Sequence, residues 1–178
     1  MASDLVDLYR RASAWTAEKV AGAGARLDAA TPCDEWNLRT LVNHMLETQR
    51  YFLASGRGEK ASSPGQVPPT LISDDPARDF ARARDDMLTT YADPSVVAKT
   101  GPALGIAFSD VLLHGWDVAR ASGQDATMPP DLAEAAYGTI HGRFTDEQRK
   151  GVFKPELPVR PDASPQARLL AYTGRQPD

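Results

Sequence analysis

Apolar residues recur every three or four positions along most of this chain, and no stretch alternates apolar with polar as a half-buried strand would. Leu5, Leu8, Ala12, Trp15 and Val20 share one helical face, which predicts a first helix over residues 4–23, ended by Gly22 and Gly24. Asn37 is a good N-cap for a second helix with Leu38, Leu41, Val42, Met45 and Phe52 on its apolar side. Residues 56–74 are rich in Gly, Pro and Ser and have no period. They predict a long loop of the kind that often serves as a lid or binding loop. Asp75 followed by Pro76 opens a third helix carrying Phe80, Ala83, Met87, Leu88 and Tyr91. Residues 92–102 contain Pro94, Gly101 and Pro102 and predict another loop. A fourth helix is expected from Ala103 to Ala121, stopped by Ser122-Gly123. Its first half, ALGIAFSDVLLH, is apolar on nearly every side and should lie centrally. A shorter fifth helix follows Pro129-Pro130, with Leu132, Ala136 and Ile140 inward. The tail, residues 144–178, holds five prolines and is expected to wrap the bundle as coil, with a short helix from Ala167 to Tyr172 capped by Gly174. The pattern is all-α: a four-helix bundle with a short extra helix and a Pro-rich C-terminal tail, in one domain over residues 1–178.

Composition narrows the class. With 178 residues, 42% hydrophobic and 25% charged, the chain reads as an ordinary globular protein. A net charge of −4 and a pI near 5.4 argue against a nucleic-acid surface. No run of 18 apolar residues occurs, so no membrane span is expected. The start MASDLVDLYRR lacks the basic and apolar regions of a signal peptide. A single cysteine, Cys33, allows no internal disulfide and suits a reducing, cytoplasmic setting. Arg outnumbers Lys 15 to 5 and Ala is abundant, as in GC-rich genomes. There is no phosphate-binding glycine loop, no C-x-x-C, no H-E-x-x-H and no G-x-S-x-G, which disfavours nucleotide enzymes, thiol oxidoreductases and serine hydrolases.

The candidate chemistry lies on two of the predicted helices. The chain has three histidines. Asp110 and His114, in SDVLLHGWDVA, are four residues apart and share a helix face. Their stripe, Ala107, Asp110, His114, Asp117 and Ala121, borders an apolar one of Leu104, Phe108, Val111 and Val118. An ionised aspartate buried there needs compensation, which a cation supplies and a plain Asp–His hydrogen bond or a wet helix face would also explain. His44 lies beside Leu41 and Met45, where a lone histidine is more often a satisfied boundary residue. Two imidazoles and a carboxylate on facing helices would hold a divalent metal and leave a position open. Asp117 is either a fourth ligand or the acceptor that fixes the His114 tautomer, against the bland alternative of a salt bridge with Arg120 or Arg11. Cys33 can reach such a metal as thiolate, though lone cysteines are usually small apolar fillers. His141 has no carboxylate at matching spacing and reads as exposed or structural. Trp36 and Trp116 read as core or pocket wall.

These segments resemble a known family. TPCDEWNLRTLVNHML is similar to the TPC-x-x-W…L-x-x-H segment of the mycothiol-dependent maleylpyruvate isomerase N-terminal-type domain. FSDVLLHGWDVARASG resembles its D-x-x-x-H-x-W-D-x-A-x-A-x-G segment, and LLAYTGRQP resembles the close of a small actinobacterial branch. The resemblance spans residues 31–177. It implies a DinB-like helical bundle in which a divalent metal is held by His44, Asp110 and His114. The characterised isomerase has Glu where this chain has Asp110, one methylene shorter, and carries an additional C-terminal domain. Maleylpyruvate isomerisation itself is therefore not expected.

Two functional expectations follow. In the first, the chain is a metal-dependent enzyme that activates a low-molecular-weight thiol such as mycothiol, or water, for transfer or isomerisation on a small electrophilic substrate. Zinc leads the candidate metals, with nickel, iron and manganese also compatible with the donors. In the second, the chain is a non-catalytic metal- or ligand-binding module in a stress or biosynthetic pathway. The expected partner is a small molecule, with neither nucleic acid nor membrane, and a homodimer by resemblance to related bundles.

Overall fold

The structure is a computed structural model that describes residues 2–33 and 36–177; Asp34 and Glu35 of the TPCDEW segment lie outside it. Seven helices run in order: α1 (Ala2–Ala23), α2 (Leu38–Arg57), α3 (Pro76–Tyr91), α4 (Pro94–Ser122), α5 (Pro130–Ile140), α6 (Asp146–Arg149) and α7 (Pro165–Tyr172). Among the described residues no strand forms, and a lone bridge joins Ala30 to Asn37. The helices group into two compact units, residues 1–126 and 127–178.

The first unit is the expected four-helix, DinB-like bundle. Its sides pair α1 with α4, α4 with α2, α2 with α3, and α3 with α1. Leu38, Leu41, Val42, Phe80, Met87, Leu104, Phe108 and Leu112 are fully buried between them. α2 and α3 start where the sequence places them. The Asn37 side chain accepts from Thr40 N at 2.9 Å, and the Asp75 side chain accepts from Arg78 N at 3.0 Å. Gly58 and Gly123 end α2 and α4 in the left-handed conformation.

One element differs from expectation. Residues 94–102 are not a loop but the first turns of α4, which therefore begins nine residues early. Asp93 caps it by accepting from Ser95 N at 2.8 Å, and Pro94 sits in the first turn, where its missing N–H costs nothing. Pro102 inside the helix removes one i→i−4 bond. Burial outweighs that loss: Val97, Gly101 and Leu104 are buried. A Cβ on Gly101 would lie in ordinary contact, 3.8 Å, with the Leu5 methyl of α1. Proline and glycine punctuation thus misled where packing against α1 holds the chain helical.

By length and composition α4 is apolar enough to cross a membrane. Its burial between α1 and α2 accounts for that apolarity. Gly115 lets α1 approach closely, because a Cβ there would overlap the Thr16 hydroxyl. That hydroxyl instead donates to Val111 O at 2.8 Å. The contact fixes α4 axially and rotationally just beside His114.

In the second unit α5 packs on α7. The helix expected over 167–172 starts two residues earlier, with Ser164 accepting from Ala167 N at 3.2 Å. The short α6 was not foreseen, although Thr145 and Gln148 form a full capping box, a legible S/T-x-x-E/Q signature.

Candidate metal centre

α2 carries His44 at its half-buried edge, one turn before Thr48, whose hydroxyl lies 3.4 Å from His44 Nε2. The Trp36 ring packs 4.7 Å from the His44 ring, and its indole N–H donates to Gln66 O at 3.0 Å. Asn43 accepts from Leu71 N and Ile72 N at 2.6 and 2.9 Å. The long coil after α2 is therefore tied back at two points, Trp36 and Asn43, both N-terminal to His44. That ordering fits its reading as a rim over the site.

α4 supplies the rest. The His114 ring meets the His44 ring edge to face, with centroids 5.1 Å apart. The two nitrogens of His114 have different partners. Nε2 lies 3.5 Å from Asp110 Oδ1, and Nδ1 lies 2.9 Å from Asp117 Oδ2. Asp117 is completely buried, whereas Asp110 keeps 26% of its side-chain surface exposed, so the Nε2 side faces the route to solvent. Asp117 Oδ2 also accepts from the Cys33 thiol at 3.2 Å. Cys33 is positioned by its own N–H, which donates to Thr31 Oγ1 at 3.1 Å.

These surroundings push the imidazoles apart. Burial, followed by the nearby His114, lowers the His44 pKa to about 4, with Asp110 opposing, so His44 is neutral at pH 7. Burial also works against charge on His114. There the Asp110 charge and hydrogen bonds to Asp110, Asp117 and Cys33 outweigh it and hold His114 well above 6.5. Sequence reasoning did not single out Tyr9, which reads as ordinary core. Its buried hydroxyl donates to Gln49 Oε1 at 3.2 Å. Burial pushes it above its usual range against the pull of Arg84, and the Asp110 charge adds to the rise.

Two trios of donor atoms converge, each within 4.8 Å: His44, Asp110 and His114, and separately Cys33, His114 and Asp117. They share His114 and use opposite faces of its hydrogen-bonding pattern. Donors around a metal at roughly 2.1 Å lie about 3–4 Å apart, so either trio needs only small closure. The first trio fits a metal better. Among the described residues His44 Nδ1 is buried with no hydrogen-bond partner, a cost that ligation through that nitrogen would remove. In the second trio the polar atoms already satisfy one another. Asp117 is therefore the acceptor behind His114 rather than a partner of Arg120 or Arg11 alone. His141 is exposed in the second unit and packs 4.7 Å from the Tyr137 ring. Trp116 is core, 3% exposed, under Arg120.

Comparison with known proteins agrees with this architecture. Over 156 residues the chain is 28% identical to an uncharacterised protein of Mycobacterium tuberculosis strain CDC 1551 / Oshkosh, covering 84% of this chain and 85% of the relative. An uncharacterised protein of strain ATCC 25618 / H37Rv matches with the same identity and coverage. No solved structure matches. Residues 9–119, which include α2 and the His114 segment of α4, match the mycothiol maleylpyruvate isomerase N-terminal domain. The chain belongs to that metal-binding, DinB-like family.

Proposed function

We propose that the chain is a metal-dependent enzyme of the thiol transferase or isomerase type, with His44, Asp110 and His114 holding one divalent ion. The observation that carries this reading is the pairing of a buried His44 Nδ1, without a hydrogen-bond partner among the described residues, with an Asp110–His114 pair whose far nitrogen is already anchored by Asp117. A carboxylate behind a ligating histidine fixes the tautomer and raises basicity, and Asp117 supplies it. A bound zinc-type ion would lower the pKa of a coordinated thiol or water into the neutral range. The residues of the chain do the remainder. Asp110 stays partly exposed, so a small ligand can reach the site. Trp36, tied to Gln66, shields His44 from bulk water on one side. The substrate is a small electrophile, and the thiol is of the mycothiol class, in keeping with the family and its mycobacterial relatives.

A second reading has one observation behind it. Cys33 and Asp117 crowd the other nitrogen of His114, and a site that recruited them would be closed and structural. Both readings hold a metal, so thermal shift with thiols and turnover separate the two. Catalysis predicts about one metal per chain, stabilisation by added thiols, and turnover of a thiol with an electrophile. A well-folded preparation that binds no divalent metal would end the first reading.

A further inference from the structure

A cleft between α2 and α3 lies away from the metal centre. Leu53, which lines it, follows His44 by about two and a half helical turns and so faces the opposite side of α2. The cleft holds about 140 Å³, well below the roughly 300–1,000 Å³ of pockets for drug-sized ligands, so its occupant has the size of a single amino acid. Leu46, Leu53 and Leu71 give it an apolar floor. Its coil wall is fixed at both ends. Leu71 N donates to Asn43 Oδ1 at 2.6 Å, and Ser73 N and Oγ donate to Asp79 Oδ2 at 2.6 and 2.8 Å. The other charges at the cleft stay open. Arg50, Arg82 and Asp86 line it and are exposed. Among the described residues none of these three side chains forms an ion pair or a hydrogen bond. Arg82 and Asp86 are one turn apart on α3, but in the order, cation first, that favours pairing less. Two open guanidinium groups and one open carboxylate around an apolar floor suit a small zwitterion with an apolar side chain. Guanidinium groups take a carboxylate in a forked geometry, an aspartate takes an ammonium group, and the leucines take aliphatic surface.

We propose that this cleft binds a free aliphatic α-amino acid, with its carboxylate on Arg50 and Arg82, its ammonium group on Asp86 and its side chain on Leu46, Leu53 and Leu71. The site is independent of the metal centre and of the reaction proposed there. The test is calorimetric titration of the full chain with leucine and three analogues that each lack one group. Isocaproate lacks the ammonium group, isoamylamine the carboxylate, and glycine the side chain. Leucine should bind at least about fivefold more tightly than each analogue, since all three groups contribute. Arg82→Gln and Asp86→Asn lie at exposed positions where substitution leaves folding intact. Each should weaken leucine binding by about fivefold or more while leaving metal content and melting temperature unchanged. Any analogue binding as tightly as leucine, or a leucine affinity untouched by either variant, would overturn the proposal. So would the lack of saturable leucine binding.

Discussion

The α2 side and the α4 side of the metal centre present the same side chain in opposite settings. His44 sits among Trp36, Thr48 and apolar neighbours, with one nitrogen left without a partner and its charged form disfavoured. His114, 5.1 Å away, sits between two carboxylates that favour its charged form. The contrast teaches what each contributes. The α4 side is prepaid: Asp117 fixes the ring whether or not a metal is present. The α2 side is completed only by a ligand. One imidazole anchors the site, and the other reports whether it is filled.

Breaking the α4 side should have the largest effect. His114→Ala leaves Asp117 fully buried without its main partner. Loss of a buried partner of this kind costs about 3–5 kcal/mol. Denaturant unfolding should show that loss, and elemental analysis should show no bound metal. His44→Ala should also abolish stoichiometric metal, yet cost only about 1–2 kcal/mol in the metal-stripped protein, because nothing buried loses a charged partner. Equal destabilisation by the two variants would erase the asymmetry.

A gentler change comes next. Asp117→Asn keeps the shape but not the charge behind His114, and should weaken metal binding by about 10–100-fold, measured by competition with a chelating dye. Cys33→Ala removes one hydrogen bond to Asp117 and should cost about 1 kcal/mol with little change in metal affinity.

The pH dependence sharpens the same comparison. The folded His44 value, about 4, lies below 6.5, so its contribution to stability is present above pH 6.5 and is lost as pH falls towards 4. The folded His114 value lies above 6.5, so its contribution is present below pH 6.5 and is lost as pH rises through the folded value. Melting temperatures of the metal-stripped protein should therefore lose part of their fall between pH 6.5 and 4 in His44→Ala, and a smaller part in His114→Ala, which removes only the His114 contribution to the lowered His44 value and leaves burial in place. Metal uptake at pH 7 should release about one proton, taken from His114, detectable by calorimetry in buffers of different ionisation enthalpy. Uptake with no proton released would contradict the charged state assigned to His114.

Much of this was legible in the residues. The caps at Asn37 and Asp75 and the apolar stripes of α2 and α3 carry strong local periodicity, and the structure follows them. Pro94, Gly101 and Pro102 read as loop because their breaking tendency is local, whereas the packing of Gly101 against Leu5 that overrides it is long-range. The Asp110–His114 spacing was visible as a helix turn, but spacing alone left a metal pair, a plain Asp–His hydrogen bond and a wet helix face open. The convergence of His44, and the stacking of Cys33 behind Asp117, depend on how helices and a loop pack together. No sequence period encodes that. Gly115 beside His114 was a usable clue to the close approach of α1 and went unread.

X-ray absorption spectroscopy of the zinc-loaded chain tests the central claim most directly, because the two donor trios differ in one element. Ligation by His44, Asp110 and His114 predicts a nitrogen and oxygen shell at about 2.0–2.2 Å with imidazole outer scattering and no sulphur. A sulphur scatterer at about 2.3 Å would place the metal on Cys33 instead and contradict the assignment.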